Sequence, residues 1–86
     1  MPKYEDGVKA LLAQCPYPRG MTLLLSVYIK KARKHVYARF AGMTPWRLED
    51  IYPVREFLEI HGVKATTREV LDRMLIDNRR RSGGGE

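Results

Sequence analysis

Residues 21–40 read MTLLLSVYIKKARKHVYARF, and the way this stretch folds decides the architecture of the chain. Leu25, Ile29, Ala32, Val36 and Phe40 recur every three or four residues and form one apolar stripe on a helix. Lys30, Lys31 and Lys34 then point away from it, at roughly 140° to 240° from Leu25 on a wheel of 100° per residue. Arg33 and Tyr37 lie on one shoulder of that basic face. The competing fold is a hairpin of two strands, LLLSVYI (23–29) and HVYARF (35–40), both rich in β-branched and aromatic residues. The segment between them, KKARK, has no Gly, Asn, Asp or Pro for a tight turn, and its residues favour helix. The stretch therefore predicts a single helix, capped by Thr22 and running to about Phe40. Leu24 and Val27 point partly toward the basic side, which predicts that the first half of this helix is buried all round.

Upstream, YEDGVKALLAQ (4–14) predicts a short helix with Val8, Leu11 and Leu12 on one face. CPYPRG (15–20) is a loop, because two prolines and a glycine end any helix there. Downstream, Gly42 is a helix stop, Thr44 an N-cap and Pro45 a first helical residue, which predicts a short helix at 45–51. Pro53 predicts a break near Tyr52 and a further helix at 53–61, ending at Gly62. Thr66 and Glu69 have the spacing of a capping box and open a last helix whose inner face is Val70, Leu71, Met74 and Leu75. After Asn78 the chain reads RRRSGGGE, a flexible basic and Gly-rich tail over 79–86. The fold class is all-α: a small single domain, residues 1–78, of four to five short helices.

The chain has 86 residues, enough for one domain whose core is small, so self-association as a homodimer is expected to help it. Its 44% hydrophobic and 30% charged residues are those of a globular protein. The longest strongly apolar run, LLLSVYI, is far short of the ~20 residues that cross a bilayer. MPKYEDG lacks a signal-peptide pattern, and a single cysteine, Cys15, excludes an internal disulfide framework. The expectation is an intracellular protein, cytoplasmic or nucleoid-associated, with no membrane partner.

Charge is unevenly spread. Residues 7–48 hold eight bases (Lys9, Arg19, Lys30, Lys31, Arg33, Lys34, Arg39, Arg47) and no acid, whereas residues 49–86 hold seven bases and eight acids. Lys30, Lys31, Arg33 and Lys34 have no acid at helical spacing to pair with, although an ordinary solvated helix mixes both signs. Affinity for nucleic acid comes largely from Lys and Arg neutralising phosphates and needs no motif. Tyr37, beside Arg33 and Lys34, offers a stacking plane for an unpaired base. Arg39, Arg19 and Arg47 would widen the patch, and the 79–81 arginines would add a mobile arm.

Chemistry is poorly represented. Cys15 has no basic neighbour in sequence to activate it. His35 and His61 fall in separate elements, and no Cys/His group has zinc spacing. Glu56 and Glu59 share a helix side, as carboxylates do on any charged helix. No phosphate-binding glycine loop is present. The expectation is a protein that is not an enzyme, with no cofactor, no metal and no small-molecule substrate.

The segment PVREFLEIHGVKATTREVLDRML (53–75), extended to 77, resembles helix-turn-helix DNA-binding units. An apolar helix ends at Gly62, and a Thr-capped helix follows. In such units the second helix enters the major groove. The resemblance implies that Thr66, Thr67, Arg68 and Arg73 meet the nucleic acid as an auxiliary contact, and it favours DNA over RNA. The turn is longer than usual, Arg68 replaces a buried aliphatic, and Glu69 and Asp72 would repel phosphates. Glu69 and Arg73 also have the spacing of an ion pair. Trp46 and Met43, with the apolar run at 23–25, point to a second use. Such side chains are enriched at protein interfaces, which fits an interaction subunit or adaptor with an apolar surface around Trp46, Tyr52 or Leu23.

Overall fold

In the computed structural model, residues 6–84 are described. The chain is all-α, with no strand among the described residues. Among the described residues five α-helices follow in order: α1 (Val8–Leu12), α2 (Met21–Tyr28), α3 (Arg33–Phe40), α4 (Ile51–Ile60) and α5 (Thr67–Gly84). One turn of 3₁₀ helix, Leu48–Asp50, leads directly into α4. The long α5 packs against α1, α3 and α4, while α2 closes the other side against α1, α3 and α4. Leu11 and Leu12 of α1, Leu25 of α2, Val36 and Phe40 of α3, Val54, Phe57 and Leu58 of α4, and Val70 and Met74 of α5 meet in one core.

The stretch 21–40 is not a single helix. It bends at Ile29–Ala32, and Lys30 adopts the left-handed conformation with φ 60°. The Lys30 amide donates to the Val27 carbonyl (3.2 Å) and the Lys31 amide to the Ser26 carbonyl (2.9 Å), the paired bonds of a Schellman stop. Gly42 ends α3 and Gly62 ends α4 by the same bonds, from Gly42 to Arg39 and Met43 to Ala38, and from Gly62 to Glu59 and Val63 to Leu58. The first stop departs from the expected single helix because a lysine occupies a position that glycine usually fills. A left-handed L-residue costs about 1–2 kcal/mol, and core burial outweighs it. The bend turns Leu25 on one helix and Val36 and Phe40 on the next toward the same core, which a straight helix cannot do. Lys30→Gly is therefore expected to raise the unfolding free energy by about 1 kcal/mol, measured by urea denaturation.

Other boundaries also shift. Thr22 lies within the first turn of α2, whose N-cap is Gly20. Within the predicted helix at 4–14, α1 spans only Val8–Leu12, and residues 4 and 5 lie outside the described residues. No helix forms at 45–47. Thr44 and Pro45 cap nothing, because the Trp46 amide is taken by Asn78 Oδ1 (2.7 Å) and its indole by Asp77 Oδ2 (2.9 Å). Pro53 does not break the chain near Tyr52. It sits in the first turn of α4, where backbone N–H groups need no partner within the helix. The capping box is present: Thr66 Oγ1 accepts from the Glu69 amide (3.0 Å), and Glu69 Oε1 accepts from the Thr66 amide (2.8 Å). Helix α5 runs on through the predicted tail to Gly84. Arg79 and Arg80 are good helix formers, and Arg80 is held by Asp77, by Asp6 and by the Phe40 carbonyl. Arg80 is thus a structural clamp and no part of a mobile arm.

Helix α2 carries no charged residue, yet it is not buried all round. Leu25 and Ser26 face inward, while Leu23, Leu24 and Val27 face out, Val27 with 68% of its surface exposed. No helix among the described residues is long and apolar enough to cross a membrane.

Candidate nucleic-acid interface

The bend gathers four cations in a short space. Lys30 is exposed at the left-handed stop, Lys31 half-buried after it, and Arg33 and Lys34 are exposed in the first turn of α3. Ala32, with ψ 147°, is the extended residue that starts the helix, and no side chain caps it. Among the described residues the amides of Ala32, Arg33 and Lys34 donate to no backbone carbonyl, whereas those of His35 and Val36 reach Ala32 (2.9 and 3.2 Å). The N-terminal end of a helix carries a partial positive charge, and Asp or Glu normally sits there. Helix α3 has no acid in its first turn and has Arg33, Lys34 and His35 instead. Local electrostatics therefore oppose the start of α3, and burial of Val36 and Phe40 holds it.

No acid folds back onto this group. Among the described residues no ion pair reaches Lys30, Lys31, Arg33 or Lys34. Glu56 accepts from the Tyr28 hydroxyl (3.1 Å). Tyr37 follows one turn after Arg33. It is 45% exposed and meets Phe40 edge-on, with ring centroids 6.0 Å apart and planes at 87°. One edge of the ring is braced on the core while the other side stays open.

Arg39 requires a correction. It is 6% exposed and does not belong to the basic surface. Its Nε lies 3.5 Å from Asp50 Oδ2, its guanidinium centre 5.7 Å from the Trp46 ring, and its Nη1 donates to the His35 carbonyl (3.4 Å). With Val36 and Phe40 it faces the core, as its place one turn after Val36 required. Arg47 is exposed, on the segment between α3 and α4 and outside the bend. Arg19 stands at the far end of α2, with Lys9 and Thr22 on a cavity of about 240 Å³.

The 66–73 region is less basic than its sequence suggests. Thr67 is exposed at the start of α5. Arg68 pairs with Asp72 (3.4 Å), so its charge is met within the helix. Arg73 does not pair with Glu69, whose carboxylate is used in the capping box. Its Nη1 donates to the Asp6 carbonyl instead (2.8 Å). Six residues, 61–66, separate α4 from α5, more than a tight helix-turn-helix has. Trp46 is 5% exposed, so no docking surface is centred on it, whereas Tyr52 and Leu23 are exposed.

Burial pushes the Cys15 thiol above its ordinary value. Among the described residues no three His, Cys, Asp or Glu side chains converge as a metal site. The unserved amides of Ala32–Lys34 were not legible in the sequence. A continuous helix, as expected over 21–40, would have used them in ordinary i to i−4 hydrogen bonds. The chain matches no family model, and no curated protein and no solved structure is found to be similar to it.

Proposed function

We propose that this is a small basic nucleic-acid-binding protein, non-catalytic, that grips the phosphate backbone at the α2–α3 bend. The observation that carries the reading is the group Lys30, Lys31, Arg33 and Lys34, unpaired among the described residues and set against the unserved amides of the α3 start. Phosphate oxygens accept from both cationic side chains and helix-start amides. Tyr37 extends the surface toward an unpaired base. Thr67, Arg68 and Arg73 are at most an auxiliary contact, because Arg68 and Arg73 are engaged within the protein. Duplex DNA is the first ligand to try, with RNA second.

A second reading, a subunit of a larger assembly, is favoured by a different observation, the exposed apolar face of α2 at Leu23, Leu24 and Val27.

The test is fluorescence anisotropy with labelled duplex DNA, single-stranded DNA and RNA across a salt series. Each neutralised duplex phosphate steepens log K against log[salt] by about 0.9, so Lys30→Ala with Lys34→Ala is expected to flatten the slope by about 2. Stronger binding to single strands, lost on Tyr37→Ala, would assign stacking to that ring. Absence of binding at low salt would overturn the reading.

A further inference from the structure

The α2–α3 bend combines three features that do not suit a fixed turn. Lys30 is the one non-glycine residue with positive φ among the described residues. Its neighbours Ile29, Lys31, Ala32 and Arg33 include no turn-forming residue, and the lysines, alanine and arginine are strong helix formers. The apolar stripe from Leu25 through Ile29, Ala32 and Val36 to Phe40 also continues in helical register straight through the bend. The local sequence thus suits one helix over 21–40, about 30 Å long. What bends it is the shared core, and one chain cannot keep both that core and a straight helix, since straightening carries α1 and α2 away from α4 and α5.

We propose that residues 29–32 are a hinge at which two copies of this chain exchange their α1–α2 arms, with 21–40 continuous in the exchanged dimer. Short, strained hinges invite such exchange. The polar ties between arm and body are remade on the second copy: the Val8 amide to Asp77 (3.1 Å), Arg73 to the Asp6 carbonyl (2.8 Å), Arg80 to the Asp6 carboxylate (2.8 Å), and the Tyr28 hydroxyl to Glu56 (3.1 Å). The packing of α1 on α5 and of α2 on α3 and α4 is likewise restored between copies. Lys30 relaxes from the left-handed region. The amides of Ala32, Arg33 and Lys34 gain the carbonyls of Tyr28, Ile29 and Lys30. Against this, Lys30, Lys31, Arg33 and Lys34 come to helical spacing and repel, so salt favours the exchanged form. The hinge does not depend on nucleic-acid binding.

The test is to refold the protein from denaturant at low and high protein concentration and in low and high salt. Products are separated by size exclusion with light scattering, for the natural chain, Lys30→Gly and Leu23→Glu. The natural chain is expected to give a slowly reverting dimer whose share rises with concentration and with salt. Lys30→Gly relieves the bent form in both copies and is expected to lower the association constant about tenfold or more. Leu23→Glu is expected to leave it unchanged. In the isolated dimer the amides of Ala32, Arg33 and Lys34 should exchange hydrogen about tenfold more slowly, or slower still, than in the monomer. A chain that stays monomeric throughout overturns the proposal. So does a dimer abolished by Leu23→Glu and indifferent to Lys30→Gly, which would be a surface dimer through α2. A dimer with unprotected 32–34 amides overturns it as well.

Discussion

Asp77→Ala is expected to lower the unfolding free energy by about 3–5 kcal/mol, a large share of the 5–15 kcal/mol typical of a domain. The Asp77 side chain is fully buried and serves three elements. It accepts from the Val8 amide at the start of α1 (3.1 Å), from the Trp46 indole (2.9 Å), and from Arg80 one turn along α5 (2.5 Å). The approach of α1 is so close that a Cβ on Gly7 would collide with the Asp77 carboxylate. Burial pushes the Asp77 carboxyl above the ordinary carboxylate range, while its three donors pull the other way. Removal leaves a buried amide and a buried indole N–H without an acceptor, each worth about 1–3 kcal/mol. Arg80 keeps Asp6, whose carboxyl the same guanidinium holds below its usual value. Urea unfolding followed by Trp46 fluorescence checks this. Asp77→Asn, which retains one carbonyl acceptor, should lose less. A loss under about 1 kcal/mol for Asp77→Ala would mean that the three elements are held by packing alone.

Arg39→Ala is the second large effect, about 3 kcal/mol, and it separates structure from function. With Arg39 gone, the buried Asp50 carboxylate keeps only the Arg47 amide (2.9 Å), and Trp46 loses the cation over its ring. Asp50→Ala alone should also destabilise, and the double variant should cost less than the two single changes added, with a coupling of about 1–3 kcal/mol. At a temperature where the variant is folded, the salt dependence of its nucleic-acid binding should match that of the natural chain. A flatter slope would return Arg39 to the binding surface.

These two residues show where sequence reading reached and where it stopped. Arg39 was read as a charge among charges, but on α3 it falls on the face of Val36 and Phe40, and Asp50 lies eleven positions away with no periodicity to announce it. Nothing in the local sequence singles out Asp77, because its partners Val8 and Trp46 lie 69 and 31 residues away. The Thr66–Glu69 cap and the stops at Gly42 and Gly62 were legible, because each is a local pattern of residue types. The stop at Lys30 was not, because only the tertiary fold puts a lysine in the left-handed region. That is also where local preference and global fold disagree most: a strained residue, a helix start with cations in place of acids, and amides left unserved. Such conflicts tend to mark functional sites, and here they coincide with a cation cluster that no acid among the described residues pairs with.

The most direct test of that assignment is an NMR titration of the isotopically labelled protein with a short DNA duplex at low salt. The largest amide shifts are expected on Lys30–Lys34 and Tyr37, with smaller ones at Thr67–Arg73. Shifts concentrated in Thr67–Arg73, or spread over α2 at Leu23, Leu24 and Val27 with none at the bend, would contradict it.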